Sequence, residues 1–225
     1  MRRALCNRSA PLWRQGVAFA LLVVLCLAAE RGYTQAEKDC TCLWHGSFSE
    51  VQSRADIVVA GRVARTKGNA LDLAVERRLR GDPYLDEIRI WLKTRDYCRP
   101  PIDEFPPGSR WVMALSKIRD VPEDGFDPST PNLSYGRPDD YVLSACGGYW
   151  LNFSGEAVTG NLIDAPRWAH DPEMQPVMIS VVEAFVRGET SADALREAAK
   201  EDPAVDNLLL DTKAFLRGDV PLEDP

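Results

Sequence analysis

Between Ala55 and Leu151 apolar residues recur in short runs, several with a period of two, the spacing of strands that turn one face to a core. Asp56-Ile57-Val58-Val59-Ala60-Gly61-Arg62-Val63 is β-branched and valine-rich and predicts a first strand. Leu71, Leu73 and Val75 alternate with Asp72, Ala74 and Glu76, and Ile88, Ile90 and Leu92 alternate with Arg89, Trp91 and Lys93, predicting the second and third. Lys67-Gly68-Asn69 and Gly81-Asp82-Pro83 are the breaks between them, and Pro106-Pro107-Gly108 turns the chain into a fourth strand over Arg110 to Leu115. A fifth is expected from Tyr141 to Leu151, carrying Cys146 and the pair Gly147-Gly148. Glycines inside a strand mark a bulge or bend, the device by which a small sheet curls and closes. Five such strands with no intervening helices predict a closed barrel, mainly β, over residues 38–162. The stretch from Asp120 to Asp140 is Pro, Gly, Asp and Ser with few apolar residues, and is expected to be an exposed, mobile loop.

Beyond about Pro166 helix formers take over, predicting an α-helical appendage over 170–218. Asp171-Pro172 and Asp202-Pro203 each set a capping acid before a proline, Gly188 and Gly218 each follow an arginine, and Ser191 is placed to cap a short helix through Lys200. The segments Ala184 to Glu189 and Ala214 to Asp219 look alike, 30 residues apart, and suggest a helical hairpin or a partner-binding appendage.

The other end of the chain changes the compartment. Met1 to Arg14 carries four arginines and no acid, and Gly16 to Ala29 is an unbroken run of 14 apolar or small residues closed by Glu30 and Arg31. That run is shorter than the roughly 20 residues a membrane-crossing helix needs. It reads as an export signal over 1–29, with cleavage as late as Ala36, leaving a chain secreted or periplasmic with no stable membrane insertion. Losing the signal shifts the net charge from −7 to about −11. So acidic a protein is a poor match for nucleic acid or anionic lipid, both of which reward a positive field.

Cys6 and Cys26 fall within the signal, which leaves an even set of Cys40, Cys42, Cys98 and Cys146. In an oxidising compartment an even set reads as disulfides. Cys40 and Cys42 are too close in sequence to bridge each other without strain, so each reaches Cys98 or Cys146; the pattern does not choose between the two pairings. Each bridge closes a loop of tens of residues, worth roughly 4 kcal/mol in the chain-entropy model. The competing reading is a zinc site of the same thiols, with His45 as a further candidate ligand. Structural zinc ordinarily takes its ligands as two close pairs, whereas Cys98 and Cys146 are solitary, so no metal or cofactor of its own is expected.

Taken together, Cys40-Thr41-Cys42, the Ala55 to Val63 strand, Cys98 after the third strand, Pro107-Gly108 before the Trp111 strand and Cys146 in the last one resemble the netrin-like module. This is the five-stranded oligonucleotide/oligosaccharide-binding (OB)-type barrel of the tissue inhibitors of metalloproteinases, and the likeness covers about Cys40 to Gly160. It implies that Cys40 pairs with Cys98 and Cys42 with Cys146. It further implies that the amino group and carbonyl of Cys40 chelate the zinc of a target protease while Thr41 enters its specificity pocket. The expected cleavage sites leave Glu37-Lys38-Asp39 ahead of Cys40, so this chemistry requires a chain trimmed to begin at Cys40. The third disulfide of the inhibitors' module has no counterpart, and the helical tail does not resemble their carboxy-terminal domain.

The expected function is therefore protein binding through Cys40, Thr41, Cys42 and Trp44, with a zinc metalloproteinase as candidate partner; the alternative is an extracytoplasmic interaction protein without inhibitory activity. Catalysis is not expected. His45 and His170 are the two histidines, no nucleophile elbow, phosphate loop or paired-histidine metal motif is present, and Asp103 and Glu104 sit in a proline-flanked loop where solvation is expected. Trp44 and Phe48 are candidates for a contact ridge or for the barrel's end, while Tyr149 and Trp150 belong to the core or its edge. Asn132-Leu133-Ser134 and Asn152-Phe153-Ser154 fit the glycosylation sequon, which matters in a eukaryotic secretory route.

Overall fold

The structure is a computed structural model that describes residues 40–95, 97–126, 128–130, 133–164, 176–200, 214 and 216–218. The expected signal over 1–29, its cleavage positions, Glu37-Lys38-Asp39, Asn132, His170, Asp171-Pro172 and Asp202-Pro203 lie outside these residues.

Strands β1 (Ile57–Lys67) and β2 (Ala70–Arg80) form a long antiparallel hairpin, and β3 (Glu87–Trp91) pairs antiparallel on the far edge of β2. Strand β4 (Arg110–Lys117) returns along the other edge of β1, from Ile57 opposite Leu115 to Arg62 opposite Arg110. The gap between β3 and β4 is filled by β5 (Tyr141–Val142), parallel to β3 and antiparallel to β4. The circuit β1-β2-β3-β5-β4-β1 is a closed five-stranded barrel, and the chain is mainly β with short helices near its carboxy-terminal end.

Closure depends on curling the hairpin. The β1–β2 register slips at three places, one of them between Ala60 and Gly61, and each slip adds twist to the strand that carries the extra residue. Gly61 shows why that position has no side chain: a Cβ there would stand 2.4 Å from the carbonyl oxygen of Ala74. The core is filled by Ile57, Val59, Leu71, Leu73, Ile90, Val112, Leu115 and Leu143, with Phe105 edge-on against Trp111 and Trp150 at centroid distances of 5.1 and 5.8 Å. A smaller cluster of Ala70, Trp91 and Ile118 packs with Tyr135 and Val142.

Three expectations need correction. The fifth strand is two. Tyr141–Val142 closes the barrel, Cys146-Gly147-Gly148 lies in a bend, and β6 (Trp150–Ser154) pairs with the other stretch of β4, Trp111 to Met113. From β6 the sheet runs on through β7 (Ala157–Thr159) to β8 (Val177–Met178), which puts Asn152 of the sequon opposite Trp111 on one side and Thr159 on the other. Second, in the stretch expected to be helical up to Gly188, Val177–Met178 are β8 and the helix is α2 (Ile179–Val186), preceded in the chain by the four-residue α1 (Phe48–Val51) and followed by α3 (Ala192–Ala198). Ser191 does cap α3, its Oγ accepting from Ala194 N at 3.2 Å, and Gly188 follows α2 in the left-handed conformation.

Third, the Asp120–Asp140 stretch is only half loose. Val121 to Asp124 are exposed, but Gly136 is buried against Trp91 and Ile118, and Trp91 Nε1 donates to Asp140 at 2.8 Å. Asn69 in the β1–β2 turn fastens the loop, donating to Ser134 O at 2.8 Å and accepting from Ser134 N at 3.0 Å. Polar groups, not apolar ones, supply the attachment.

Candidate binding edge at the disulfide staple

Cys40 is bonded to Cys98 and Cys42 to Cys146, with Cα–Cα separations of 5.1 and 5.8 Å. These bridges span 58 and 104 residues and converge: the four sulfurs lie within 4.8 Å of one another. Sequence spacing concealed this convergence, because Cys98 and Cys146 become neighbours only when Ala145 N donates to Cys98 O across the end of the barrel at 2.9 Å.

After the staple the segment turns inward. His45 N donates to Cys146 O at 2.7 Å, Gly148 N to Gly46 O at 2.9 Å and Phe48 N to Asn161 O at 2.8 Å. Gly148 is required by proximity, since a Cβ there would sit 2.8 Å from both Phe48 N and Asn161 O. At Ser47 a capping box starts α1: the Glu50 carboxylate accepts from Ser47 N at 2.8 Å and from Ser47 Oγ at 3.0 Å. Phe48 and Val51 are wholly buried and root the segment in the core.

Exposure falls steeply along these residues. Thr41 and Cys42 are exposed, Leu43 is 85% exposed, Trp44 is half-buried and Phe48 is inaccessible. Phe48 is therefore core and not part of a contact ridge. The exposed apolar side chain is Leu43, which sequence reasoning passed over. A signal for it was present: cysteines at i and i+2 that both reach back to the barrel favour turning the residues between and after them, Thr41 and Leu43, the other way. Among the described residues no backbone–backbone hydrogen bond involves Cys40 to Leu43.

Around the staple, Tyr97 and Tyr135 meet edge-on at 4.7 Å and Arg99 lies over the Tyr135 ring at 4.3 Å, donating to Tyr135 O at 2.5 Å. Arg99 is 7% exposed, and among the described residues no carboxylate pairs with it. His45 is exposed, with Nδ1 3.1 Å from Tyr149 Oη; burial raises the Tyr149 phenol above its ordinary range. Tyr149 and Trp150 are themselves buried.

The hairpin presents several arginines, but they are matched by acids. Asp72, which alternation had placed outward, is 5% exposed. It accepts from Arg89 at 2.7 and 2.9 Å and from Arg65 at 2.5 Å. The Arg89 hydrogen bond, with that of Arg65, holds its carboxyl below the usual carboxylate range against the opposing effect of burial. Glu76 faces Arg62 at 3.4 Å and Arg110 at 2.7 Å. A surface neutralised in this way offers phosphates little field.

A pocket of about 250 Å³ lies between Thr66–Gly68 and Ile102–Pro107. Its charged lining is Lys67 and Asp103, and none of the staple residues takes part. Asp103 and Glu104 are exposed in a single 3₁₀ turn. Among the described residues no helix is long and apolar enough to cross a membrane. Two disulfides are the chemistry of an oxidising environment. Compared with protein-family models, with curated proteins and with solved structures, the chain has no match.

Proposed function

We propose that the chain is an exported netrin-like protein-binding module whose contact edge is Cys40 to Leu43, and that a form beginning at Cys40 inhibits a zinc metalloproteinase. The observation that carries the reading is the convergence of both disulfides on a segment whose residues Thr41, Cys42 and Leu43 are exposed. Binding orders a flexible segment at a cost of about 0.5–1.5 kcal/mol per immobilised side chain, and a segment fixed beforehand avoids much of it. A fixed amine and carbonyl on Cys40 would replace the water on a catalytic zinc, with Thr41 directed into the adjoining pocket. Leu43 adds apolar area beside them.

The deciding experiment compares three forms of the protein against a panel of zinc metalloproteinases: one starting at Cys40, the same form N-acetylated, and one retaining Glu37-Lys38-Asp39. Chelation requires the free amine, so only the first should inhibit. Equal inhibition by all three would show a contact that does not use the amine. No inhibition by any form would leave the module as an interaction protein, the reading supported by Leu43 alone, and capture of a partner dependent on Leu43 would then define it.

A further inference from the structure

We propose that the sulfur cluster at the staple is also a redox-gated metal site, binding one zinc ion through Cys40, Cys42, Cys98 and Cys146 when both disulfides are reduced. The inference does not rest on the inhibitory reading, which concerns the oxidised chain.

Geometry comes first. A tetrahedral zinc with Zn–S bonds of about 2.3 Å sets its sulfurs about 3.8 Å apart. Here all four sulfurs already lie within 4.8 Å. Reduction lets each bonded pair spread towards that spacing, and the pairs that are not bonded need close by no more than about 1 Å to meet it. Two solitary cysteines and one Cys-X-Cys pair lack the usual zinc spacing in sequence, yet the fold delivers them to one point.

The scaffold does not depend on the disulfides alone. The loop carrying Cys98 is tied to Ala145, and His45 to Cys146, by main-chain hydrogen bonds of 2.9 and 2.7 Å. Gly148 and Phe48 dock the same strand of chain from the other side. The segments bearing Cys98 and Cys146 are therefore joined to each other directly, and the Cys40–Cys42 segment to them through His45, when the sulfur bonds open.

Charge is the second argument. A zinc tetrathiolate carries a net charge of −2, costly to leave uncompensated near a protein interior. Arg99, adjacent to Cys98 in the chain, is a buried guanidinium that among the described residues has aromatic rings and a carbonyl for company and no carboxylate. In the oxidised state no carboxylate among the described residues pairs with it; in the metal-bound state an anionic centre would be held one residue away along the chain, at Cys98.

The chemistry balances. Each disulfide takes two electrons and two protons from one dithiol, which is itself oxidised to a disulfide, and two such exchanges yield four thiols. Zinc then displaces their four protons to solvent, so affinity rises with pH.

The test uses the full chain with Cys6→Ala and Cys26→Ala, so that the four clustered cysteines are the only thiols whether or not the amino-terminal residues are removed. It is reduced with a water-soluble phosphine, desalted without oxygen and titrated with Co²⁺. Expected are sulfur-to-cobalt charge transfer and the visible bands of a tetrahedral thiolate site, saturating at one equivalent and bleached by one equivalent of Zn²⁺. Cys42→Ser and Cys146→Ser should each weaken cobalt binding by at least about tenfold, the smaller of the losses seen even for outer-shell partners. Should reduction unfold the chain, one equivalent of Zn²⁺ must restore its near-ultraviolet circular dichroism. Absence of the bands, saturation at half an equivalent as when two chains share an ion, or failure of zinc to refold the reduced chain would each overturn the proposal.

Discussion

The amino-terminal half of β1 and the segment that precedes it are fixed by opposite means. Val58 to Ala60 are clamped between β2 and β4 and fully buried, and their place follows from apolar packing and ladder hydrogen bonds. Cys40 to Leu43 belong to no ladder and are exposed from Thr41 on, and two covalent bonds hold them instead. Packing immobilises a strand by using up its surface. A disulfide immobilises a segment and leaves its surface free, so rigidity and accessibility coexist at the staple.

The largest expected effect comes from removing the staple. In the chain-entropy model the Cys42–Cys146 bridge is worth about 4 to 5 kcal/mol and the Cys40–Cys98 bridge about 0.5 kcal/mol less, because its loop is shorter. Denaturant melts of the paired variants Cys42→Ala/Cys146→Ala and Cys40→Ala/Cys98→Ala should rank in that order, and both should lose partner binding. A variant that kept full binding without its bridge would show that rigidity is not what the disulfide contributes.

Next is the barrel's closure. β5 contributes only two pairs to each neighbour, and Leu143 just beyond it is inaccessible to solvent. Leu143→Ala should cost about 3 kcal/mol. Below its lowered midpoint the variant should bind as the parent does, which separates the wall from the edge; binding lost in step with closure would merge them.

Asp72→Asn tests the polar side of the wall. Because the folded carboxyl titrates below its unfolded value, its stabilisation is complete above the ordinary carboxylate range and vanishes as pH falls through the folded value. At neutral pH the variant should lose about 2 kcal/mol, the value of hydrogen bonds to a charged group, and the gap should close in acid. A gap that stays constant with pH would assign the loss to packing.

Much of the wall could be read from the sequence because period-two burial is a local property, as Ile88, Ile90 and Leu92 illustrate. What escaped depends on partners distant in the chain. Asp72 was placed outward by alternation, yet Arg65 and Arg89 from the flanking strands fold over it. The fifth strand was drawn too long because nothing local reports that Cys146-Gly147-Gly148 leaves the ladder to receive His45 and Gly46. The 120–140 loop looked unattached since its anchors, Asn69 and Trp91, are residues elsewhere. At the staple the four cysteines were legible as an even set, but the exposed Leu43 was overshadowed by Trp44, which is half-buried, and Phe48, which is inaccessible.

The smallest effect on stability should therefore be the most informative about binding. Leu43 is 85% exposed and packs against no residue of the core, so Leu43→Ala should shift the unfolding free energy by less than about 0.5 kcal/mol. At a contact edge the same truncation removes apolar area at its centre, where such residues carry about 2 kcal/mol, near a thirtyfold loss of affinity. Met178, 52% exposed at the strand before α2, is the control: Met178→Ala removes comparable apolar surface away from the staple and should leave affinity unchanged. Inhibition or partner capture by the form beginning at Cys40 provides the readout, with thermal melts run alongside. Equal affinities for both variants would move the binding edge away from the staple, however rigid that segment is.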